Sequence, residues 1–412
     1  MFENIATLDD VEVKGKTLLV RIDINSGIGE DGKIQNNPRF AASGVTIKEL
    51  SSKGAKVVLL AHQGRAGNDE FRSLKEHAEI LSQETGVEVR FVRDVIGPVA
   101  LERIKEMQDG DVILLENVRF LAEENLEAGA KSAGKSVYVQ KLAACADLYV
   151  NDAFSVCHRS QASIVGFPAL LPSVMGRNLQ LELTALDKLL QHENGAVFLL
   201  GGVKLKEVLG IIRSMCKNGK ASKILLAGMP AFLFLKAKGI NLGEKTEGEL
   251  QTAGGEEFLQ MAKELWKSYF EIIATPVDVA VDAEGKRKEY SVLDLPVNST
   301  IQDIGSKTAK NYAEIVKKAQ TVFAKGVPGE FEKHDFALGT KEICKALTET
   351  KAFTVLGGGS LSTAFETFNF DKTKISHVSL SGGALLEALS GKKLPGVEAL
   401  RQPQTSKYVT TG

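Results

Sequence analysis

In the first half of the chain, short apolar runs end in side chains that suit a small anion. Guanidinium, imidazole, carboxamide and carboxylate groups follow these runs at residues 21–25, 62–65, 116–119 and 151–152. Ligands of open parallel sheets bind beyond the carboxyl ends of the strands, so these groups are expected to meet at one sheet edge. Arg39 follows a proline and suits the first turn of a helix, whose positive end also favours an anion. Clustered cations repel one another unless an anion neutralises them, so the pattern predicts an anion site.

In the second half, similar apolar runs end in glycines, at residues 201–202, 357–359 and 382–383. Bare backbone N–H groups can approach a phosphate closely, and Lys204 adds a movable cation. The turn-rich loop at residues 326–332 carries two carboxylates, which suit the hydroxyls of a ribose. The second half therefore predicts a nucleotide phosphate site. Two unlike sites on one chain indicate the transfer of a group between two ligands.

The elements that must position these residues alternate between strands and helices. Apolar runs without polar alternation indicate strands that are buried on both faces. Helical patterns cover residues 45–53 and 74–85, and residues 131–149 predict an Ala-rich helix followed by a strand. The predicted fold class is therefore α/β, with two doubly wound, Rossmann-like parallel-sheet domains. A long helix at residues 175–191 is expected to join them, and residues 281–298 predict a hairpin and loop on the second domain.

Length, charge and cysteine usage limit the class of protein. A chain of 412 residues favours two domains, which we place at residues 1–172 and 193–391 with a connecting helix at 173–192. The net charge of −1, from 51 basic and 52 acidic residues, gives no case for a nucleic-acid or membrane partner. The N-terminus lacks a signal-peptide pattern, and four widely spaced cysteines indicate reduced thiols, so a cytoplasmic location is expected.

Two other functions remain open from the residues alone. A nicotinamide-dependent dehydrogenase would need a helix that opens on a glycine fingerprint, and residues 27–32 match GxGxxG. The following turn signals favour a hairpin turn over a dinucleotide site at this position. A hinged binding protein for a small anion is the other alternative, but it would leave the glycine turns of the second half without a ligand.

The motifs together resemble the phosphoglycerate kinase family over nearly the whole chain. Each motif is weak alone, but their order and spacing are specific. The matching segments are residues 21–25, 36–39, 62–65, 116–120, 151–154, 158–159, 201–204, 357–359 and 394–400.

This resemblance implies reversible phosphoryl transfer from 1,3-bisphosphoglycerate to ADP, giving 3-phosphoglycerate and ATP, with Mg²⁺ and with closure of the two domains about a hinge. It implies that the N-terminal domain, to which residues 392–412 return, holds the phosphoglycerate. The residues carried over for that ligand are Asp23, Ile24, Asn25, Arg39, His62, Gln63, Gly64, Arg65, Arg119 and Arg159. Those carried over for ATP or ADP are Gly201, Gly202, Lys204, Glu332, Gly358, Gly359, Ser360, Leu361, Gly382 and Gly383, with Glu332 on the ribose.

An acyl phosphate is already activated, so transfer needs alignment and charge neutralisation rather than a covalent enzyme intermediate. Arg39 and Lys204 are the two catalytic candidates for that neutralisation. A monomer is expected, with a dimer left open.

Three departures from the bacterial and eukaryotic pattern place the chain closer to the archaeal branch. Ser360 stands where those members carry an Asp that contacts the metal–nucleotide, which leaves the metal ligands undetermined. Val208 stands where they carry a second Lys, and whether Lys206 replaces that cation is left open. The segment at residues 62–65 also lacks their usual Leu and the Pro that follows it.

Overall fold

The chain folds into two compact α/β units, each built on a six-stranded parallel sheet. The structure is a computed structural model that describes residues 4–191 and 195–401. Of these residues, the first unit holds those up to Thr184 and from Lys393 onward, and the second holds Ala185–Lys392. The predicted fold class, two doubly wound parallel-sheet domains, is confirmed. Over the described part of the chain, no helix combines the length and apolar character needed to cross a bilayer.

The sheet of the first unit consists of short strands rich in Val, Ile and Leu. They are β1 (Thr17–Arg21), β2 (Lys56–Leu60), β3 (Val89–Val92), β4 (Val112–Leu115), β5 (Leu148–Asn151) and β6 (Ser173–Met175). Their order is β3-β4-β2-β1-β5-β6, and every pairing is parallel. All residues of β4 and β5 are buried, which explains the absence of polar alternation.

Six helices of the first unit lie between residues 38 and 165, and some of them begin at a capping side chain or end at a glycine. They are α1 (Pro38–Ser52), α2 (Lys75–Thr85), α3 (Pro98–Glu106), α4 (Ala130–Ala133), α5 (Val137–Ala143) and α6 (Ala162–Val165). Asn37 caps α1, so this helix starts well before the predicted residues 45–53. Residues 131–149 were predicted to hold an Ala-rich helix followed by a strand; the structure has two short helices there, because Gly134 ends α4 and Ser136 caps α5, and then β5.

The second unit combines a parallel sheet with a smaller antiparallel one. The parallel strands are β7 (Ala196–Leu200), β8 (Ala221–Leu226), β9 (Ile273–Ala274), β13 (Thr321–Lys325), β14 (Phe353–Gly357) and β15 (His377–Ser379), in the order β15-β14-β13-β7-β8-β9. The antiparallel strands are β10 (Asp278–Ala283), β11 (Lys286–Ser291) and β12 (Ile301–Ile304). The β10–β11 hairpin was predicted, and its turn residues Glu284 and Gly285 both have positive φ. The third strand, β12, was not predicted.

Eight helices of the second unit lie among the described residues. They are α8 (Leu205–Lys217), α9 (Gly228–Ala237), α10 (Glu244–Thr252), α11 (Gly255–Tyr269), α12 (Ser306–Lys318), α13 (Leu338–Glu349), α14 (Gly359–Thr367) and α15 (Gly383–Leu389). Helix α8 directly follows the first glycine turn and buries an apolar stripe that includes Val208 and Ile212. The apolar stripe packs α8 into the core of this unit, and this packing also fixes the position of the glycine turn that precedes the helix.

The boundary between the units lies within α7 (Arg177–Leu190). This helix starts two residues after the predicted position because Met175 ends β6. The last described helix, α16 (Pro395–Leu400), returns to the first unit, where the Gly396 N–H donates to the Cys157 carbonyl at 2.9 Å. The predicted domain limits at residues 172, 192 and 391 stay a prediction, and residues 402–412 lie outside the described part of the chain.

Asp152 anchors the start of α7. Its carboxylate is buried, and Oδ1 accepts the N–H of Asn178 at 2.8 Å and of Leu179 at 3.3 Å. Burial raises the pKa of Asp152 to about 7, although a hydrogen bond with Thr46 and the helix N–H groups oppose that rise. The fold therefore favours the protonated carboxyl more than the unfolded chain does.

We predict that this carboxyl makes stability fall as the pH rises from about 4 to about 7. A group whose pKa is raised on folding binds more protons in the native state over that window, so deprotonation costs stability, on the order of 4 kcal/mol at most. Asp152→Asn keeps an acceptor for the helix but cannot titrate. Urea unfolding at several pH values should show a steeper decline for the wild type than for the variant, and parallel curves would contradict the prediction.

Candidate active site

Four neighbouring strands of the first unit carry the predicted anion-binding residues at their carboxyl ends. Asp23 and Asn25 follow β1, residues 62–65 follow β2, Arg119 follows β4, and Arg159 lies beyond β5. These strands are adjacent in the order β4-β2-β1-β5, so the polar side chains gather at one sheet edge. The gathering expected from the sequence is observed.

Arg39 is held at this edge by the first turn of α1. Its backbone N–H donates to the Asn37 side chain at 2.9 Å, which fixes the start of the helix. Its guanidinium lies 3.2 Å from Asp23 Oδ2 and donates to the Asn25 carbonyl at 3.0 Å, while its side chain stays 30% exposed. Burial opposes ionisation of Asp23, but Arg39 and a short hydrogen bond from Ser155 outweigh it and lower the Asp23 pKa. The ionised carboxylate therefore positions a guanidinium that still faces solvent.

His62 is neutral, and its tautomer follows from its partner. Burial and the neighbouring charge of Arg21 hold the pKa of His62 well below its usual range. A guanidinium can only donate, and Arg21 Nη2 lies 3.1 Å from His62 Nδ1, so Nδ1 is the acceptor. The ring proton then resides on Nε2, where it can be donated to an anion. Buried Arg21, its hydrogen-bond partner Ser163 and the Glu124 carboxylate that accepts from the Ser163 hydroxyl were not predicted as site residues.

The cations at this edge lie close enough to affect one another. Arg119 is buried and donates to the Gly64 carbonyl. Its pKa falls to about 10, first through burial and then through the charges of Arg21, Arg159 and Arg65. Arg119 stays charged at neutral pH, so an anion that binds here relieves repulsion that the fold has imposed.

Gln63 and Ile24 bury their side chains instead of presenting them to a ligand. Ile24 lies in the core, and the Gln63 carboxamide pairs with both backbone groups of Ser26, at 2.9 Å to the N–H and 2.8 Å to the carbonyl. The Gln63 oxygen also lies 3.0 Å from His77 Nε2. Because that oxygen already accepts the Ser26 N–H, His77 must donate. Gln63 thus ties the end of β1 to the turn after β2.

Gly64 occupies a position that only glycine fits. Its φ is +64°, and a Cβ there would overlap the backbone of Glu70. Its N–H donates to the Asn25 side chain at 2.8 Å. The adjacent Arg65 is exposed, whereas Arg159 is 28% exposed and pairs with Glu127 at 3.1 Å. The turn therefore brings Arg65 beside the strand end that carries Asn25.

In the second unit, the carboxyl ends of β15, β14, β13 and β7 surround a cavity of about 260 Å³. Glycine is required where the turns after β7 and β13 meet, because a Cβ on Gly201 would lie 2.7 Å from the Val327 carbonyl oxygen. Gly358 has a φ of +99° and caps α14, so the start of that helix opens onto the cavity. Eight of the ten predicted nucleotide-binding residues line it, namely Gly201, Gly202, Lys204, Gly358, Gly359, Ser360, Gly382 and Gly383.

Four other residues differ in placement from what the motifs suggest. Leu361 is buried in the core of the unit, and Glu332 is exposed and does not line the cavity, so its ribose contact stays a prediction. Glu207 and Lys325 do line it and were missed. Lys325 ends an apolar strand directly before a glycine, the same signal that was used for the other strand ends.

The side chains at the cavity supply few metal ligands. Among residues 4–191 and 195–401, no group of three or more His, Cys, Asp or Glu could hold a metal ion. The oxygen donors at the cavity include the hydroxyl of Ser360 and the carboxylate of Glu207. This sparse set fits Mg²⁺ that arrives with a nucleotide and keeps its phosphate and water ligands.

Residues 8–392 match the family model for phosphoglycerate kinase. The chain belongs to the phosphoglycerate kinase family. The phosphoglycerate kinase of Methanothermus fervidus is 41% identical over 407 residues, which cover 98% of this chain and 99% of that protein. That of Saccharolobus solfataricus is 42% identical and covers 96% of this chain and 97% of its own.

Solved structures of the family have the same fold. The crystal structure of phosphoglycerate kinase from Pyrococcus horikoshii matches with a TM-score of 0.87 and 37% identity, covering 96% of this chain and 98% of that one. The structure from Coxiella burnetii matches with a TM-score of 0.83 and 29% identity over 97% and 100% of the two chains. The resemblance to phosphoglycerate kinases of the archaeal branch is thus confirmed.

Family membership settles the class of reaction. The protein is a glycolytic kinase that transfers a phosphoryl group to a carboxyl group, with ATP and ADP as nucleotide substrates. The dehydrogenase alternative fails on the structure as well, because residues 27–32 form a turn rather than the start of a helix. In that turn Gly29 donates to the Lys33 carbonyl at 2.9 Å, and Ile28 pairs with Ile34.

We predict that Gln63→Leu destabilises the first unit and weakens 3-phosphoglycerate binding. The buried N–H and carbonyl of Ser26 would lose their partners, which costs about 2 to 4 kcal/mol. The end of β1 would also lose a restraint, so the KM for 3-phosphoglycerate should rise. Urea unfolding and steady-state kinetics measure the two effects.

Exposed Gln108 offers the matched control for this substitution. Gln108→Leu removes a carboxamide of the same size from the surface, and both quantities should stay near their wild-type values. If the two variants had the same free energy of unfolding and the same KM for 3-phosphoglycerate, the Gln63 hydrogen bonds would not fix the site.

Proposed function

We propose that phosphoglycerate binds at the sheet edge of the first unit and the nucleotide in the cavity of the second. The observation that carries this proposal is the contrast in chemistry between the two. One presents guanidinium and imidazole side chains, and the other presents backbone N–H groups with lysines. Side-chain cations suit a compact ligand with a carboxylate and a phosphate, whereas glycine turns suit a polyphosphate.

In the first unit, Arg39, Arg65, Arg119 and Arg159 supply the positive charge for the phosphoglycerate. The Nε2–H of His62 adds a neutral donor, since its Nδ1 is occupied by Arg21. Bidentate contacts to carboxylate and phosphate oxygens favour Arg over Lys in such a site. Burial and then the charges of Arg21, Arg159 and Arg65 lower the Arg119 pKa, and an anion bound here would relieve the repulsion among these cations.

In the second unit, the turns at residues 201–202, 357–359 and 382–383 hold the phosphates, and Glu332 accepts from the ribose. Mg²⁺ accompanies the nucleotide, and it lowers the negative charge that the transferred group must carry. Ser360 lines the cavity and could add a hydroxyl ligand, whereas the Glu207 carboxylate is already paired with Lys204 and Lys325. Gly358 and the first residues of α14 contribute N–H donors that need no side chain.

Transfer itself needs alignment and charge neutralisation. Because the acyl phosphate is already activated, the phosphoryl group can pass directly to ADP in line, with Arg39 and Lys204 neutralising the moving charge. The two ligands bind to different units, so we propose that closure about α7 and residues 379–383 brings them together. A monomeric state, a cytoplasmic location and the absence of nucleic-acid and membrane partners stay predictions from the sequence.

We predict that Arg39→Ala lowers kcat by about 100- to 1,000-fold, because one preorganised donor to the transition state is lost. The assay couples ATP-dependent phosphorylation of 3-phosphoglycerate to a spectroscopic signal. Arg103→Ala, which removes an exposed Arg on α3, should leave kcat unchanged. Near-normal turnover of a folded Arg39→Ala protein would remove Arg39 from the mechanism.

We also predict that the two ligands stabilise the protein separately. Each at 100 times its dissociation constant should add about 2.7 kcal/mol to the free energy of unfolding. Arg119→Met should abolish the effect of 3-phosphoglycerate and retain that of ADP with Mg²⁺. Loss of both responses, or of the nucleotide response alone, would contradict the assignment of one ligand to each unit.

A further inference from the structure

We propose that Lys325 supplies a second phosphate-binding cation in the nucleotide cavity, in place of the missing lysine at position 208. This inference rests on the proposed function, because it assumes that the cavity binds the nucleotide phosphates. Lys204 supplies one positive charge beside the first glycine turn, and Lys325 would supply the second.

Neither position 206 nor position 208 of α8 can provide that positive charge. Val208 is fully buried in the apolar stripe of α8, so a charged side chain there would have to enter the core. Lys206 is exposed and does not line the cavity. The cation must therefore come from another element.

The backbone fixes Lys325 beside the first glycine turn. Lys325 is the last residue of β13 and pairs in register with Leu200, the last residue of β7. Its carbonyl accepts the N–H of Gly201 at 2.8 Å, and the Gly202 N–H donates to the Val327 carbonyl at 3.1 Å. These bonds join the two turns, so Lys325 cannot move away from the cavity without breaking the sheet edge.

The side chain of Lys325 is held in the cavity by a carboxylate. It is 13% exposed, and its Nζ lies 3.1 Å from Glu207 Oε2. The other oxygen of Glu207 lies 3.7 Å from Lys204 Nζ. One carboxylate thus faces two ammonium groups, and the three side chains together carry one net positive charge.

This arrangement keeps both lysines ready for a polyphosphate. A carboxylate that is shared between two cations cannot neutralise both, so phosphate oxygens compete well for either ammonium group. The flexible stem of a lysine lets its charge move from Glu207 to the ligand over a short distance. Lys325 then approaches the phosphates from β13, while Lys204 approaches them from the start of α8.

The test compares two substitutions that keep an aliphatic stem and remove a charge. Lys325→Met should raise the dissociation constant for ADP with Mg²⁺, measured by calorimetry, by about 10- to 100-fold. Lys325→Arg should restore most of the affinity. Lys206→Met, which removes a lysine outside the cavity, should bind like the wild type. In all three variants, the affinity for 3-phosphoglycerate should remain unchanged. A general loss of structure would lower that affinity as well, so this measurement separates the two explanations.

The kinase activity and ligand affinities of the wild-type protein are the reference for every variant. Failure of the wild type to phosphorylate 3-phosphoglycerate would overturn the proposed function itself. An active wild type combined with a Lys325→Met variant that binds ADP normally would overturn only the role of Lys325. Equal weakening of both ligands in Lys325→Met would also overturn it, since the lysine would then be structural.

Discussion

The structure depends on the parallel direction of the strands in its two large sheets. Parallel strands place all their carboxyl ends at one edge, so residues far apart in sequence are brought together without long loops. In the first unit the edge of β4, β2, β1 and β5 collects side chains, and in the second the edge of β15, β14, β13 and β7 collects glycine turns. Two parallel sheets of different strand order thus gather different chemistry at their carboxyl edges, according to the residues that follow each strand.

Concentrating positive charge at a buried edge has a cost, and carboxylates offset it in both units. Asp23 holds Arg39, Glu127 holds Arg159, and Glu207 holds Lys204 and Lys325. These pairs are partly exposed, so each contributes little to stability. Their effect is geometric, because they keep the cations in place while leaving part of their charge for a ligand.

Much of the fold, and the gathering of the predicted residues at two sheet edges, could be predicted because the signals are local. A buried apolar strand followed by charged residues or glycines identified the turns at residues 62–65 and 357–359. The direction of the Gln63 side chain could not be predicted, because it is set by Ser26 and His77 in other segments. Lys325 does carry the local signal, because it ends an apolar strand directly before a glycine, but its pairing with Glu207, 118 positions away, depends on the strand order and could not be predicted.

The two recognition modes differ in how readily their residues can be exchanged. At the first edge, Arg21 fixes the tautomer of His62 and Arg119 is bonded to a specific carbonyl, so a replacement would need the same geometry. In the second unit, the proposed phosphate contacts come mainly from backbone N–H groups, which are indifferent to side-chain identity. A cation that α8 does not supply at Val208 could therefore come from β13, as we propose for Lys325, because a polyphosphate responds to where the charge lies and not to which helix or strand carries it.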